Sequence, residues 1–371
     1  MPTALIRPAS IPEIQAAVRS APSGSRILAR GHGTKPPLST PPEGAVALDV
    51  SGLTGIIEYE PGEFTFTALA GTPIAEIAAA LAEHGQFLPF DPPLVEAGAT
   101  LGGTVAAGLS GPGRYRYGGV RDFILGARYV DGAGEVVRTG GKVVKNAAGF
   151  DISKLMAGSL GSLGVLVELS FKVFPKPEAY ATLCVPHPTL PDALASLHRL
   201  TSSQMDFFAI DLEPAPDGAH LWVRLGGLTA ALPERLERLR GLAGEGNVLV
   251  EDADAVCWRA AREFTWRPED AALVKVPVTP GRIARLESDL TGFANLSGLP
   301  KRRYGAGGQV AWLAWPPAAL DDLDAALKAP DLSGLVVLGQ PGRARLGVRT
   351  GQSFERRVKA ALDPDGRFVE V

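Results

Sequence analysis

Gly98-Ala99-Thr100-Leu101-Gly102-Gly103-Thr104-Val105-Ala106-Ala107-Gly108-Leu109-Ser110-Gly111 carries almost no side-chain bulk. Thr100 has the type and position of an N-cap, so the stretch reads as a helix over residues 101–109. Each glycine costs a helix interior about 1 kcal/mol against alanine, so this density near a helix start needs a reason. Close approach of a flat ring or a phosphate is one reason. Tight packing of the helix on its neighbour is the other, and both remain open on this segment alone.

Upstream, Arg26-Ile27-Leu28-Ala29 reads as a short strand feeding Arg30-Gly31-His32-Gly33-Thr34-Lys35-Pro36. Backbone N–H groups that converge on one concavity without a Cβ in the way make an anion cradle, and a plain β-turn is the bland alternative. The loop is not a Rossmann fingerprint, because no third glycine follows at the required spacing and the chain leads on toward strands at 45–50, 56–60 and 65–70. Nor is Gly140-Gly141-Lys142 a P-loop, since valine follows and the earlier glycine is absent. A capping box at Ser10-Ile11-Pro12-Glu13 opens a first helix to about Ser20, and Thr72-Pro73 opens a second over 74–84 closed by Gly85. Asp131-Gly132-Ala133-Gly134 marks a hairpin between strands at 126–130 and 135–139.

Downstream come Gly113-Arg114-Tyr115-Arg116-Tyr117-Gly118-Gly119, then Gly140-Gly141-Lys142-Val143-Val144-Lys145-Asn146-Ala147-Ala148-Gly149-Phe150-Asp151, then Gly158-Ser159-Leu160-Gly161-Ser162-Leu163-Gly164-Val165 ahead of a long strand to Phe174. The order of these segments resembles the PCMH-type FAD-binding domain of the vanillyl-alcohol-oxidase superfamily, and within it the E-subunit family of bacterial glycolate oxidases. The likeness is strong over about residues 1–180. Phe150 stands where that family usually has tyrosine.

The resemblance implies an α+β fold: a PCMH-type FAD-binding domain of two α+β subdomains over 1–175, a smaller α+β cap domain with an antiparallel sheet over 176–348, and a C-terminal segment, 349–371, returning to the first domain. It implies that Arg30, Gly31, His32, Gly33, Thr34 and Lys35 cradle the FAD pyrophosphate. Gly98, Ala99, Thr100, Gly102, Gly103, Ala106, Gly108 and Gly111 would pass along the ribityl chain and isoalloxazine, and Gly161, Gly164 and Val165 would close the adenine side. Pro89, Tyr117, Gly118, Lys145, Asn146 and Gly149 complete the expected cofactor contacts. Covalently flavinylated relatives carry a histidine one place after the last glycine of the first loop; Thr34 stands there, and His32 falls at a glycine position, so the FAD is expected to be non-covalent. The closing Leu362-Asp363-Pro364-Asp365-Gly366 is similar to the family's tail but lacks the Asn-Pro-Gly that usually follows.

Beyond Pro175-Lys176-Pro177 helical patterns at 190–200, 232–242 and 318–328 alternate with apolar strands at 219–225, 310–315 and 335–338, which suggests helices on one face of a sheet. The five histidines are scattered, and the histidine- and glutamate-bearing segments that catalytic relatives carry in their second domain are missing. No catalytic residue is assigned and no metal site is expected. Arg114, Arg116, Lys142 and Lys145 could stabilise an anionic reduced flavin or form a solvated basic face. Asp151 and Ser159 read as helix caps. Trp258, Trp266, Trp312 and Trp315 read as core, and His84 as a helix-end residue.

Thirty-seven basic and 40 acidic residues, spread along 371, give a net charge of −3 and argue against a nucleic-acid partner. With only Cys184 and Cys257 the chain cannot ligate an iron–sulfur cluster, so electrons from a reduced flavin must leave to oxygen or a partner. The resemblance supplies partners, a second flavin subunit and an iron–sulfur subunit, with a small 2-hydroxy acid as the substrate of the complex. A free-standing FAD-dependent hydroxy-acid or sugar oxidoreductase and a redox-silent assembly subunit are the alternatives. No apolar run is long enough to span a bilayer, so a cytoplasmic chain is expected, peripheral at the inner membrane only through its complex.

Overall fold

The computed structural model describes residues 4–22, 24–141, 151–292 and 300–370. They divide into two compact units, the first comprising Met1–Ser110, Gly119–Lys176 and Arg349–Val371, the second Gly111–Gly118 and Pro177–Val348.

The first unit opens with β1 (Ala4–Ile6), α1 (Ile11–Ser20), β2 (Ile27–Arg30), α2 (Pro36–Ser39) and β3 (Val46–Asp49). β1 and β2 both pair parallel with β3, so the loop that ends β2 leaves from the edge of a small parallel sheet. Ser10 Oγ accepts from the Glu13 N–H at 3.4 Å, and the Glu13 carboxylate answers by accepting from Ala9 N–H at 2.9 Å. α1 then buries Ile14, Ala17 and Val18 against Val46, Leu48, Val130, Val167 and Phe368. Full burial of a side chain such as Ile14 contributes about 1.5–3 kcal/mol. The one-turn α2, between the glycine loop and the strand expected at 45–50, was not anticipated; Pro36 and Pro37 occupy its first turn, where a missing N–H costs nothing.

β4 (Ile56–Glu60), β5 (Thr65–Leu69), α3 (Ile74–Ala82), β6 (Gln86–Phe87) and α4 (Leu101–Ala107) follow, then α5 (Arg114–Tyr117), which belongs to the second unit, and β7 (Ile124–Val130), β8 (Val136–Gly140), α6 (Ile152–Leu155), β9 (Val165–Lys172) and β10 (Phe174–Pro175). Five of these strands form an antiparallel sheet in the order β4-β5-β9-β7-β8. α3 stops two residues before the expected end because His84 and Gly85 turn out of the helix, Gly85 at φ +63°. α4 is capped as expected, Thr100 Oγ1 accepting from Gly103 N–H at 3.2 Å, and ends at Gly108 with φ +62°.

The second unit holds β11 (Ala179–His187), α7 (Leu190–Thr201), β12 (Ala209–Ala215), β13 (Gly218–Gly227), α8 (Leu232–Ala243), β14 (Asn247–Val250), α9 (Glu251–Glu263), β15 (Ala272–Pro277), α10 (Ile283–Thr291), β16 (Arg302–Gly305), β17 (Val310–Trp315), α11 (Leu320–Lys328), β18 (Ser333–Leu338) and β19 (Arg345–Gly347). The nine strands make one antiparallel sheet, β14-β11-β13-β12-β16-β17-β15-β18-β19. α12 (Gln352–Leu362) closes the chain within the first unit.

Strand alternation divides this sheet into two faces. Leu183, Val185, Leu221, Val223 and Leu225 enter a core with Leu197, Leu239, Leu286 and Leu323 from α7, α8, α10 and α11. Thr182 and Arg224, one place out of that register, meet Asp254 of α9 instead. Helices therefore cover both faces, which corrects the expectation of one covered face. The strand periodicity at 219–225 contains both sets, and the polar set was not read as a second helix contact. Trp258, Trp312 and Trp315 are buried, and Trp266 is half-buried.

Candidate functional site

The parallel pairing of β2 ends at Arg30↔Asp49, and the chain then leaves the sheet through Gly31. A Cβ on Gly31 would lie 2.3 Å from Thr100 Oγ1, so only glycine lets this loop approach the N-terminus of α4. Gly33 has φ +72°, and the amide N–H groups of His32, Gly33 and Thr34 have no acceptor among the described residues. Consecutive amides without an internal acceptor around a left-handed residue have the makings of an anion-binding nest.

The loop borders an open cleft lined by Arg30–Lys35, Leu38, Ser39, Thr100, Gly103, Ala106 and Leu160. An adjoining open space shares Arg30, Gly31, Gly103 and Ala106 and adds Gly102, Ser159, Gly161, Gly164 and Val165. Leu160, between Ser159 and Gly161, holds the left-handed conformation at φ 53°, fixed by its N–H bond to Ala106 O at 2.8 Å. A bulky residue in that region persists only when its surroundings hold it there.

Unspent polar groups face this space. Arg30 Nε and Ser159 Oγ are buried without a hydrogen-bond partner. Beside a cleft, such groups suit a ligand or water that completes their hydrogen bonds. Lys35 is 5% exposed, and burial pushes its ammonium down to about 8; its Nζ donates to Thr34 Oγ1 at 3.2 Å. Asp49 is pushed up by burial, but hydrogen bonds from Ser51 and the charges of Arg30 and Arg7 outweigh that and hold it below the usual carboxylate range. His32 Nδ1 lies 2.8 Å from Gly98 O, an acceptor, and so donates its hydrogen to it. Unpaired amides, a guanidinium and a buried ammonium beside glycine-thin walls fit a dinucleotide: charge and donors for a pyrophosphate, and room for flat rings.

Of the expected cofactor contacts, Arg30, Gly31, His32, Gly33, Thr34, Lys35, Thr100, Gly102, Gly103, Ala106, Gly161, Gly164 and Val165 come together around these two spaces. Gly98 joins through its carbonyl bond with His32, while Pro89 and Ala99 are buried outside the lining. Gly102 and Gly108 have packing reasons: a Cβ would lie 2.8 Å from Ala70 Cβ at one and 2.9 Å from Gly158 Cα at the other. Gly111, Tyr117 and Gly118 belong to the second unit. Lys142, Lys145, Asn146 and Gly149 lie outside the described residues.

Asp151 caps α6 by accepting from Lys154 N–H, whereas Ser159 caps no helix and instead lines the cleft, a correction of the expected role. Its hydroxyl sits in a glycine turn after α6, a setting that resembles a cap in sequence. Arg116 pairs with Asp206 at 3.4 Å, and the ring of His84 meets Tyr59 edge-on at 5.3 Å. Leu38, Ser39 and Leu160 were not anticipated; Ser39 Oγ donates to Lys35 O at 2.8 Å and so holds the end of the loop. Among the described residues no group of three or more His, Cys, Asp or Glu could hold a metal ion, and no helix is long and apolar enough to cross a membrane.

Residues 2–140 match the family model of an FAD binding domain. The chain is 38% identical over 271 residues to the glycolate oxidase subunit GlcE of Escherichia coli, covering 68% of this chain and 71% of that protein. It is 34% identical over 186 residues to the glycolate oxidase subunit GlcD of Bacillus subtilis, covering 49% of this chain and 39% of that protein. A solved structure of alkyldihydroxyacetonephosphate synthase superposes on 99% of the chain and 77% of its own length, with a TM-score of 0.74 at 16% identity. That likeness is one of fold, and it agrees with the α+β PCMH-type architecture expected from the motifs. Identity of this extent with the Escherichia coli protein places the chain in the family of glycolate oxidase subunit GlcE, an FAD-binding family of oxidoreductases.

Proposed function

We propose that this chain is the FAD-binding subunit of a glycolate oxidase complex, that it holds FAD non-covalently in the cleft of its first unit, and that it takes part in electron transfer while a second flavin subunit and an iron–sulfur subunit complete the path. The observation that carries the reading is the nest at His32–Thr34, with its three unpaired amides, beside the partnerless Arg30 Nε. In this reading Arg30, Lys35 and the nest amides hold the pyrophosphate, Thr100, Gly103 and Ala106 border the middle of the cofactor, and Ser159–Val165 border its far end. Bound FAD supplies a two-electron acceptor, chemistry that no side chain provides. Thr34 stands where an attaching histidine is required, so the cofactor is dissociable.

Support for a role within a complex comes from the relatives named as subunits. His187 and His220 lie toward one end of β11 and β13, where His187 faces Ala219 across the strand pair; burial lowers the His187 ring's basicity. Anaerobic mixing with glycolate tests this. The FAD of the isolated chain should stay oxidised and that of the assembled complex should bleach; bleaching of the isolated chain would make it a self-sufficient dehydrogenase.

A further inference from the structure

Near the C-terminal end of the chain, a set of polar contacts converges on Lys359 and Asp363. Lys359 of α12 donates from Nζ to Ser162 O at 2.6 Å, to Phe368 O at 3.0 Å and to the Asp363 carboxylate. Asp363 is 2% exposed; its Oδ1 accepts from Arg367 N–H at 2.8 Å and its Oδ2 from Phe368 N–H at 2.9 Å. Phe368 lies in a parallel bridge with Ile27, flanked by Ile27 N–H to Arg367 O at 2.7 Å and Val369 N–H to Ile27 O at 2.9 Å.

Both ends of this arrangement reach the cleft. Ile27 begins β2, the four-residue strand that ends at Arg30 and releases the nest. Ser162 lies in the turn that carries Ser159 and Gly161 on the cleft's other wall, and its Oγ donates to Ser159 O at 2.6 Å. One ammonium therefore ties the tail beside β2 to the turn opposite. α12 buries none of its own side chains, so it adds no apolar core. What the helix contributes is the placement of Lys359 one turn before Asp363.

We propose that Lys359 and Asp363 form a clasp that sets the spacing between the β2 loop and the Ser159–Gly164 turn, making Lys359 a positioning residue for FAD that does not touch it. The clasp rests on the assignment of the same cleft to FAD. Fixing the walls before the cofactor arrives removes an ordering cost from binding, and such preorganisation is read directly as affinity.

The test is a titration of the full-length apo chain with FAD, comparing wild type, K359M and K359R by flavin fluorescence and visible circular dichroism, beside the melting temperature of each apo protein. K359M should raise the Kd tenfold or more and alter the circular dichroism of the saturated flavin, and K359R, which keeps donors within reach of Ser162 O, should recover most of both. An unchanged Kd and spectrum, with only the melting temperature lowered, would reduce the clasp to a structural anchor and overturn the proposal. If K359M does not fold, D363N reads the same geometry with the same expected and contrary results. A wild-type chain that takes up no FAD would overturn the cofactor assignment itself, an outcome separate from failure of the clasp.

Discussion

Arg30 in the first unit and Arg224 in the second are both held within a largely buried setting, and they are provided for in opposite ways. Arg224 makes three contacts with Asp254, the shortest 2.6 Å, and Asp254 also accepts from Thr182 Oγ1, which in turn accepts from Trp258 Nε1. Its guanidinium lies over the Tyr180 ring at 3.9 Å. Arg30 leaves Nε without a partner at the rim of a cleft whose loop amides are also unpaired. The charge of Arg224 is spent internally on fastening α9 to its sheet, whereas the Nε of Arg30 is left free toward the cleft. A burial pattern alone would not separate the two; hydrogen-bond satisfaction does.

The comparison breaks most sharply at Gly103. G103W places a ring in the cleft beside Thr100, and FAD should be lost entirely while far-ultraviolet circular dichroism is kept; full FAD occupancy in this variant would move the site elsewhere. D254A strands the Arg224 guanidinium in a pocket where the pair is almost fully buried. Denaturant unfolding followed by tryptophan fluorescence should show a loss of about 3–5 kcal/mol, with FAD affinity per folded molecule unchanged. R30M, by contrast, breaks no internal hydrogen bond and takes from Asp49 only one of the two arginine charges that steady its carboxylate. It should weaken FAD by roughly 10–100-fold, the worth of one or two charge-assisted hydrogen bonds, with little change in apo stability by the same denaturant measurement.

Lys35 gives the smallest effect and the finest probe. Burial lowers its ammonium from the ordinary 10.5 to about 8, so between those values the unfolded chain binds more protons than the folded one and apo stability rises with pH. A phosphate beside Nζ favours the charged form, so FAD binding above about 8 takes up a proton and affinity falls as pH rises. K35M should flatten that slope in a pH series of calorimetric titrations. A slope that survives in K35M would assign the proton to another group.

Local features were legible in the sequence. The Thr100 cap depends on residues three apart, and the β2 loop announces itself by glycine spacing straight after an apolar run. The two roles of glycine were not separable, because Gly31, which approaches Thr100 at the rim of the cleft, and Gly102, which packs on Ala70, lack a Cβ for reasons that look alike in sequence. Long-range placement was hidden as well: nothing near Lys359 points to Ser162, 197 residues earlier, and the polar face of β13 shows its purpose only when Asp254 arrives from α9. The short α2 is a single turn, too short to show a helical period in the sequence.

The central claim is that the first unit holds one dissociable FAD. Incubating the purified chain with FAD, removing the excess, precipitating the protein with acid and measuring flavin in supernatant and pellet tests it most directly. The account predicts one FAD per chain, all of it in the supernatant. No flavin in either fraction would contradict the cofactor assignment, and flavin retained in the pellet would contradict the reading of Thr34.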